Sequence, residues 1–379
     1  MNHANYFYIR NWYRSIDQQI IVAFLILFGF SMLLVSTSSP IIAFKLGLPS
    51  GYFIFRQSIY LSIAAVIIIA LSSMNKQYIR RVAILGLFAG IILLILVKFY
   101  GYEAKGAKRW ISILGISLQP SEFIKPFFLV VSAWILSLGF QNNKANFIPC
   151  FSLYLIIAVL LITQPDIGNL IMLTAVFAIQ IFIAGFPMLW MIIAFIAGII
   201  SIFCTYLYIP HVADRINKFL DTDITQNYQV NKSINAFANG GLYGTGPGEG
   251  VIKQSLPDLH SDFIFAVAGE EFGTMFCLII ILVFAFIIIK ALIMVLNEND
   301  KFVQFTIVGI TSQFGLQALI NIGVTLNLLP TKGITLPFIS YGGSSIFATS
   351  ISSGIILSFT KKRIHYSNYQ IQDIDICGR

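Results

Sequence analysis

The sequence is dominated by long apolar runs that recur from one end to the other. Each run is close to the roughly 20 residues that a helix needs to cross a bilayer. Hydrophobic residues make up 57% of the chain and charged residues only 11%, whereas a soluble domain has about 25% charged residues. One globular core could not bury so much apolar surface. We therefore predict an all-α polytopic membrane protein.

The apolar runs define ten predicted spans. They lie at 18–37, 56–74, 82–99, 122–139, 148–164, 168–186, 188–209, 263–297, 302–326 and 345–360. The first run ends in STSSP without a small-residue cleavage site, so it is read as a retained span and not as a signal peptide. The whole chain, 1–379, is expected to be a single integral membrane domain, with a large outer loop at 210–262.

An even number of spans places both ends of the chain on the same side of the membrane. The KKR sequence at 361–363 directly follows the last span, which favours a cytoplasmic location for both ends. Three long breaks, 100–121, 210–262 and 327–344, then lie together on the outer face. The net charge of +8 is spread over many loops and forms no cluster dense enough to bind nucleic acid.

Shorter breaks carry residues typical of turns: SSP at 38–40, QPDIG at 164–168 and GFP at 185–187. The four cysteines are scattered and lack the spacing of a metal site. We expect them to pack as small apolar residues.

The first outer break groups Lys105, Lys108 and Arg109 beside Trp110. Cations and an aromatic ring at head-group depth suit a ligand that carries phosphate near the bilayer surface. The alternative is a belt that only anchors the loop. The following WISILGISL stretch is expected to lie along the membrane surface as a strand or a shallow helix.

The sequence PSEFIK places an acid and a base at the start of the fourth span. Ser121 is expected to cap this helix, and Glu122 and Lys125 lie three apart on one helical face. Such a pair either clasps the structure or lines a polar substrate cavity. In the next break, QPDIGN at 164–169 is interpreted as a tight outer turn.

A glycine-rich segment, NGGLYGTGPGEG at 239–250, fits neither a G-x-G-x-x-G register nor a Walker motif. A nucleotide site is therefore not expected, and we expect the glycines to let the loop fold close against another segment. Apolar residues at helical spacing, Val230, Ile234 and Phe237, predict a short helix on the membrane just before it.

The acidic stretch DLHSDF precedes the eighth span and contains Asp258, His260 and Asp262. An Asp and a His two apart can share a metal ion, which is a weakly specific pattern. A carboxylate in a partly dry cavity can instead serve as a general base, and Asp262 suits this better than Asp258. The structural alternative makes Asp262 the N-cap of the next span, with Glu270 and Glu271 pairing with nearby cations.

The last outer break, LNLLPTKGITLPFISYGGSS, combines Lys332 with two prolines and a Gly-Gly turn. Irregular backbone at this depth is tolerated where it is buried in protein or lines a cavity. Lys332 either neutralises an anionic leaving group or extends to the surface.

These motifs stand in the order seen in the SEDS family, the FtsW/RodA family. GAKRW with PSEFIK, QPDIG, the NGG…GPGEG loop, DLHSDFIFAVAGEE and LLPTKGITLPFISYGGSS together resemble it over nearly the whole chain. PTKGITLPFISYGG is more similar to the cell-division branch than to the elongation branch. The resemblance implies a bacterial inner-membrane enzyme at the division septum that polymerises lipid II on the periplasmic face. It also implies a class B penicillin-binding protein transpeptidase and other division proteins as partners.

The resemblance also assigns roles to residues. Asp262 falls on the family's proposed catalytic aspartate, with Ser261 where the family has Thr. Glu122 and Lys125 match its membrane-embedded pair, and GAKRW and Lys332 match its cavity-mouth cations. The predicted substrate-binding residues are Lys108, Arg109, Glu122, Lys125, His260, Lys332 and Ser340.

The hypothesis is that Asp262 acts as general base while Arg109, Lys125 and Lys332 offset the charge of the diphosphate. No resident metal ligands are predicted, and an auxiliary Mg²⁺ or Mn²⁺ is left open. Two other functions stay open: a lipid II flippase, and a scaffold that recruits the transpeptidase.

Overall fold

A computed structural model describes residues 12, 14–104, 107–113, 116–140, 146–208, 228–256, 258–330 and 333–361. The helices, in chain order, are α1 Gln18–Lys45, α2 Tyr52–Ser73, α3 Lys76–Tyr100, α4 Pro120–Phe140, α5 Phe147–Thr163, α6 Ile167–Ile183, α7 Met188–Tyr208, α8 Tyr228–Gly240, α9 Ile264–Leu296, α10 Lys301–Thr325 and α11 Gly343–Phe359. The strands are β1 Tyr102–Ala104, β2 Ala107–Ile113 and β3 Ile116–Leu118.

Each of the ten predicted spans corresponds to one of these helices. Six helices (α1, α2, α3, α4, α9 and α10) are long and apolar enough to cross a membrane, while α5, α6, α7 and α11 are shorter apolar helices. Large apolar side chains such as Phe55, Phe88 and Phe195 are exposed, as expected where lipid is the solvent. The protein is a polytopic helical membrane protein, as predicted.

Helix α10 lies at the centre of the packing, against α4, α6, α9 and α11. Its buried side chains include several amides and hydroxyls, among them Gln313, Gln317 and Asn321. Polar groups in a membrane helix are stable where neighbouring helices supply hydrogen-bond partners. Two of these amides, Gln317 and Asn321, bond the segment that follows α10.

The SSP sequence was predicted to be a turn, and this prediction is wrong. Helix α1 continues through it to Lys45, with Pro40 inside the helix. A proline inside a membrane helix is tolerated when other groups bond the carbonyls nearby. Here the Lys253 ammonium donates to the carbonyl of Thr37 (3.1 Å), so a contact from a distant loop stabilises the backbone just before Pro40.

The unusual length of the eighth predicted span has a structural explanation in α9. At Gly273 the backbone leaves helical geometry (φ 80°, ψ 173°). A short, buried first segment therefore precedes the longer apolar segment. The bend is the place where the glycine-rich loop docks.

The glycine-rich loop packs backbone to backbone on this bend. The N–H groups of Thr245 and Gly246 donate to the carbonyls of Glu270 (2.9 Å) and Glu271 (3.0 Å), and Thr274 N–H donates to Gly241 (3.0 Å). A Cβ on Gly244 would collide with the Glu271 carbonyl. The prediction that these glycines permit a close approach is confirmed, and α8 is the predicted short helix.

The first outer break forms a small antiparallel sheet in the order β1-β2-β3. Tyr102 pairs with Trp110, and Ile111 pairs with Leu118. Of the two predicted alternatives for WISILGISL, the strand is correct. Some of the backbone N–H and C=O groups in this break are therefore paired with each other between the strands.

The described parts of all three long outer breaks meet at one end of the helix bundle. Ser344, at the start of α11, donates to the carbonyl of Ser117 in β3 (3.1 Å). Ser340 donates to the carbonyl of Ser261 (2.6 Å). Residues 210–227 and Pro257 of the predicted 210–262 loop lie outside the described part of the chain.

The opposite end of the bundle carries ion pairs between helix termini. Lys76 pairs with Asp300, and Lys290 lies 3.1 Å from Asp17. Burial alone would raise the pKa of Asp300, but the hydrogen bond and charge of Lys76, with two backbone N–H groups, bring it below its usual value. Lys76 and Asp300 lie in the breaks 75–81 and 298–301 between predicted spans, which both fall on the cytoplasmic side of the predicted topology.

Candidate active site around Asp262

Asp262 lies in a short loop whose backbone is fixed at three consecutive carbonyls. The carbonyl of His260 accepts from the N–H of Tyr341 (2.8 Å). The carbonyl of Ser261 accepts from the Ser340 hydroxyl (2.6 Å), and that of Asp262 accepts from the Asn321 amide (2.9 Å). Such bonds hold the loop in one geometry, which is what a positioned catalytic group requires.

The segment that fixes this loop is itself bonded to α10 and α11. Asn321 also donates to the carbonyl of Ile334 (2.7 Å), and Gln317 donates to that of Thr335 (3.1 Å). The hydroxyls of Thr335 and Ser345 lie 2.6 Å apart. The support therefore extends from the Asp262 loop into the buried helices.

Ser340, a predicted substrate-binding residue, is buried beneath the Asp262 loop. Its hydroxyl donates to Ser261 and accepts from the N–H of Leu336 (2.8 Å). Both bonds go to backbone, so in this structure Ser340 supports the loop that carries Asp262. Its proposed contact with substrate stays a prediction.

Asp262 is partly exposed and does not cap the next helix. Phe263 occupies the N-cap position of α9, and no side chain caps that position. The structural alternative for Asp262 is therefore wrong, because the chain takes one more residue to enter the helix. A Cβ built on Gly333 would lie 3.6 Å from Asp262 Oδ2, so the last outer break passes beside the carboxylate. Lys332, the preceding residue, lies outside the described part of the chain.

His260 is packed among aromatic rings. Its ring centroid lies 5.2 Å from that of Phe53 and 5.1 Å from that of Tyr341. Burial, and then the neighbouring phenol of Tyr60, raises the pKa of Tyr341. The aromatic contacts fix the side of the Asp262 loop that faces α2.

A second polar cluster lies at the start of α4 and α6. Lys125 Nζ lies 2.8 Å from Glu122 Oε1 and 2.8 Å from Asn169 Oδ1, and Lys125 is only 1% exposed. The predicted Glu122–Lys125 pair is therefore formed, and it faces protein. Its contribution to substrate binding stays a prediction.

Asp166 joins this cluster, although the QPDIGN stretch was interpreted only as a turn. It is 3% exposed and accepts hydrogen bonds from Ser121 (2.7 Å) and Asn169 (3.0 Å). Ser121 was predicted to cap α4, but α4 begins at Pro120 and the Ser121 hydroxyl turns to Asp166 instead. The turn interpretation is correct for the backbone but missed the buried carboxylate.

Arg109 reaches from β2 to the QPDIG turn. It donates to the carbonyls of Gln164 and Pro165, and its guanidinium lies 4.0 Å from Asp166 Oδ1. Lys108, the next predicted binding residue, is exposed and pairs in register with Glu103 of β1. Arg109 thus belongs to the second cluster, while Lys108 stands at its solvent side.

The two clusters are connected through the start of α11. Ser344 donates to the carbonyl of Ser117 (3.1 Å) and accepts from the N–H of Gln119 (3.1 Å). Gln119 in turn lies 3.4 Å from Asp166. Since Ser344 follows the Tyr341 segment that fixes the Asp262 loop, one network of hydrogen bonds spans both clusters.

The acids of α9 are buried in a third cluster. Lys253 pairs with Glu271, and Glu270 accepts from the N–H groups of Ile252 (2.7 Å) and Lys253 (2.8 Å). Both acids face protein, as the sequence suggested for at least one. The cation prediction is correct for Glu271, whereas the hydrogen bonds of Glu270 are to backbone N–H groups and Asn239.

A resident metal site does not fit the described residues. No group of three or more His, Cys, Asp or Glu side chains there is arranged to hold a metal ion. The metal interpretation of the Asp258, His260 and Asp262 pattern therefore gains no support.

Residues 18–365 match the family described as cell cycle protein, which comprises FtsW, RodA and SpoVE. The chain belongs to this family. The resemblance drawn from the motifs is thereby confirmed.

Curated members of the FtsW/RodA/SpoVE family align over most of the chain. The probable peptidoglycan glycosyltransferase FtsW of Caulobacter vibrioides is 38% identical over 357 residues, which cover 93% of this chain and 91% of that protein. The protein of the same description from Trichlorobacter lovleyi is 32% identical over 366 residues, covering 93% and 95%.

Solved structures share the fold. A chain of a peptidoglycan synthase complex, described as coordinating polymerization and crosslinking, superposes with a TM-score of 0.77 at 21% identity, covering 91% of this chain and 98% of that one. The rod shape determining protein RodA of Thermus thermophilus gives 0.68 at 21% identity, covering 91% and 97%. These likenesses show that the chain shares the fold of these proteins.

Proposed function

We propose that this protein is a peptidoglycan glycosyltransferase that polymerises lipid II into glycan strands. The observation that carries the proposal is the Asp262 loop, in which three consecutive carbonyls are fixed while Asp262 itself is partly exposed. A general base needs this combination of fixed position and access to substrate. The names of the curated relatives supply the reaction class.

The proposed reaction joins two lipid-linked disaccharides. Asp262 takes the proton from the 4-hydroxyl of the acceptor sugar as that oxygen attacks the anomeric carbon of the donor sugar. The new C–O bond forms as the bond from the anomeric carbon to the diphosphate oxygen breaks. The configuration inverts, and the leaving group is undecaprenyl diphosphate.

Cations would stabilise the leaving diphosphate. Arg109 is partly exposed, and its guanidinium lies at the Asp166 turn, bonded to the carbonyls of Gln164 and Pro165. Lys125 is buried and bound to Glu122 and Asn169. We therefore propose that it acts through the electrostatic potential of its ammonium group and by holding the side chains of the second cluster in place. Lys332 is proposed as the third cation on the basis of its neighbour Gly333, which lies beside Asp262.

The setting follows from the same proposal. Lipid II carries its sugars on a diphosphate anchored in the bilayer, so we place the Asp262 end of the bundle on the periplasmic face of the inner membrane, at the division septum. A class B penicillin-binding protein is the proposed transpeptidase partner, beside other division proteins. Crosslinking in the structurally similar complex supports this partner.

The test uses purified protein, alone and with its transpeptidase partner, incubated with lipid II in detergent. Transport across a membrane cannot contribute in detergent, so glycan polymer resolved on a gel supports the glycosyltransferase. If neither preparation consumes lipid II in detergent, but the same protein moves lipid II across the membrane of a vesicle, the result would support a flippase. Recruitment of the transpeptidase with neither activity would support a scaffold.

A further inference from the structure

Arg56 is a cation beside the Asp262 loop that the sequence motifs did not single out. It lies on the second turn of α2, and its guanidinium donates to the hydroxyl of Tyr52 (2.9 Å). The guanidinium carbon is 5.5 Å from the ring centre of Tyr52 and 5.9 Å from that of Tyr60. These two tyrosines, four residues before and four after, hold the charged group along one face of the helix.

This face of α2 packs against the loop that carries Asp262. Tyr60 contacts Tyr341, with ring centres 6.0 Å apart. Tyr341 contacts the ring of His260 and donates its backbone N–H to the His260 carbonyl. Arg56 is therefore separated from the residues next to Asp262 by a single layer of aromatic side chains.

The charge of Arg56 is not balanced by an acid within the described residues. By contrast, Arg109, Lys125, Lys253 and Lys290 each lie within 4.0 Å of a carboxylate. Arg56 is also only partly exposed. A partly buried guanidinium with aromatic neighbours and no acidic partner favours the binding of an external anion.

A surface-anchoring arginine is the simpler interpretation. Such a side chain extends toward water and leaves its neighbours free. The Arg56 guanidinium instead lies between Tyr52 and the buried Tyr60, on the side that faces Tyr341. This placement favours a ligand at the Asp262 loop over a role in anchoring the helix.

We propose that Arg56 binds the diphosphate of the lipid-linked substrate, as a contact contributed by α2 to the site around Asp262. The inference rests on the proposed function, since it assumes a substrate that carries a diphosphate at the membrane surface. A guanidinium can donate two parallel hydrogen bonds to phosphate oxygens, which an ammonium cannot do in the same geometry. Tyr52 orients the guanidinium through its hydroxyl.

The binding test separates this proposal from catalysis. Undecaprenyl diphosphate is titrated into purified protein that carries Asp262→Asn, with Arg56 intact or changed to Gln or Lys. Loss of a charge-assisted contact should weaken the affinity about ten- to one-hundredfold in Arg56→Gln, with partial recovery in Arg56→Lys. Because binding is measured without turnover, this result does not depend on whether the protein polymerises lipid II.

Arg81→Gln is the matched control. Arg81 also lies against a tyrosine ring, that of Tyr78 at 5.7 Å, but on α3 at the opposite end of the bundle. This variant should bind undecaprenyl diphosphate as the parent does. Each variant is compared by its thermal unfolding temperature, so that a binding change in a misfolded protein is not counted.

The same variants in the transpeptidase complex give a kinetic readout. Arg56→Gln should raise the KM for lipid II more than it lowers kcat. Two results would overturn the proposal: unchanged affinity for undecaprenyl diphosphate in folded Arg56→Gln, or weakened binding of lipid II alone, which would assign Arg56 to the peptide carboxylates. If the parent complex makes no polymer while Arg56→Gln still loses diphosphate binding, the proposed function fails and the Arg56 site stands.

Discussion

The side-chain amide of Asn321 joins the backbone carbonyl of Asp262 (2.9 Å) to that of Ile334 (2.7 Å). One buried group on α10 thus fixes two outer segments that are more than 70 residues apart in sequence. Asn321 is 1% exposed, so water cannot replace these bonds if the amide is removed. The position of Asp262 therefore depends on a helix that is buried inside the bundle.

Replacing Asn321 with Leu should lower polymerisation of lipid II by at least about tenfold, because each unsatisfied buried carbonyl costs about 1–3 kcal/mol and the loop can leave its position. The measurement is the initial rate of polymer formation by the purified complex. Gln304→Leu is the control, since Gln304 is an amide on the first turn of the same helix, at the other end of the bundle. Equal rates for Asn321→Leu and the parent protein would show that the amide does not position Asp262.

Breaking the buried Lys253–Glu271 pair should destabilise the protein strongly. Both side chains are almost fully buried (2% and 0% exposed), and Lys253 also donates to the carbonyls of Thr37 and Gly248. Lys253→Met leaves an uncompensated carboxylate and should lower the free energy of unfolding by about 3–5 kcal/mol. Thermal unfolding in detergent measures the change.

The exposed Lys76–Asp300 pair provides the comparison for this experiment. Its side chains are 49% and 26% exposed, so Lys76→Met should cost at most about 1 kcal/mol. The double variant Lys253→Met/Glu271→Met should be more stable than Lys253→Met alone, because it removes the buried charge. A Lys253→Met protein as stable as Lys76→Met would contradict the assigned burial of the pair.

Gly244→Ala should displace the glycine-rich loop from the bend in α9. A Cβ at this position would collide with the backbone of Glu271, and φ is +84°. Gly241→Ala separates the two effects, since Gly241 also has a positive φ (+56°) but open space around its Cβ position. Conformational strain alone should cost Gly241→Ala about 1–2 kcal/mol.

The clash should make Gly244→Ala lose clearly more thermal stability than Gly241→Ala. Protease accessibility of the 239–250 loop provides a second measurement, because a displaced loop is cleaved faster. If the two variants unfold at the same temperature, the loop does not pack against α9 as described.

The helices could be predicted from the sequence because each span needs a long apolar run, and such runs are local. The local signal failed at Pro40, where Lys253 contacts the nearby backbone from more than 200 residues away. It also failed at Ser121, which bonds Asp166 across the bundle instead of capping its own helix. In both cases the prediction used only residues close in sequence. The group in question instead forms a hydrogen bond with a residue that is distant in sequence.

The candidate site was predicted unevenly for the same reason. Glu122 and Lys125 lie one helical turn apart, so their pair could be inferred from spacing alone. Asp262 was singled out as an acid at the start of an apolar run. Its support by Asn321 and the placement of Arg56 beside Tyr341 depend on how α2, α10 and the last outer break pack together, and no local pattern encodes that packing.

The central claim is that the Asp262 carboxylate is the general base. The most direct measurement is the rate of glycan polymer formation from lipid II by the purified complex with Asp262→Asn, which keeps the shape of the side chain but removes its basic carboxylate. Asp258→Asn in the same loop is the control, because Asn tolerates the positive φ of 50° at that position. We predict that Asp262→Asn inserts into the membrane, binds its partner and forms no polymer, while Asp258→Asn retains most of the activity. Polymer formation by Asp262→Asn near the parent rate would contradict the account.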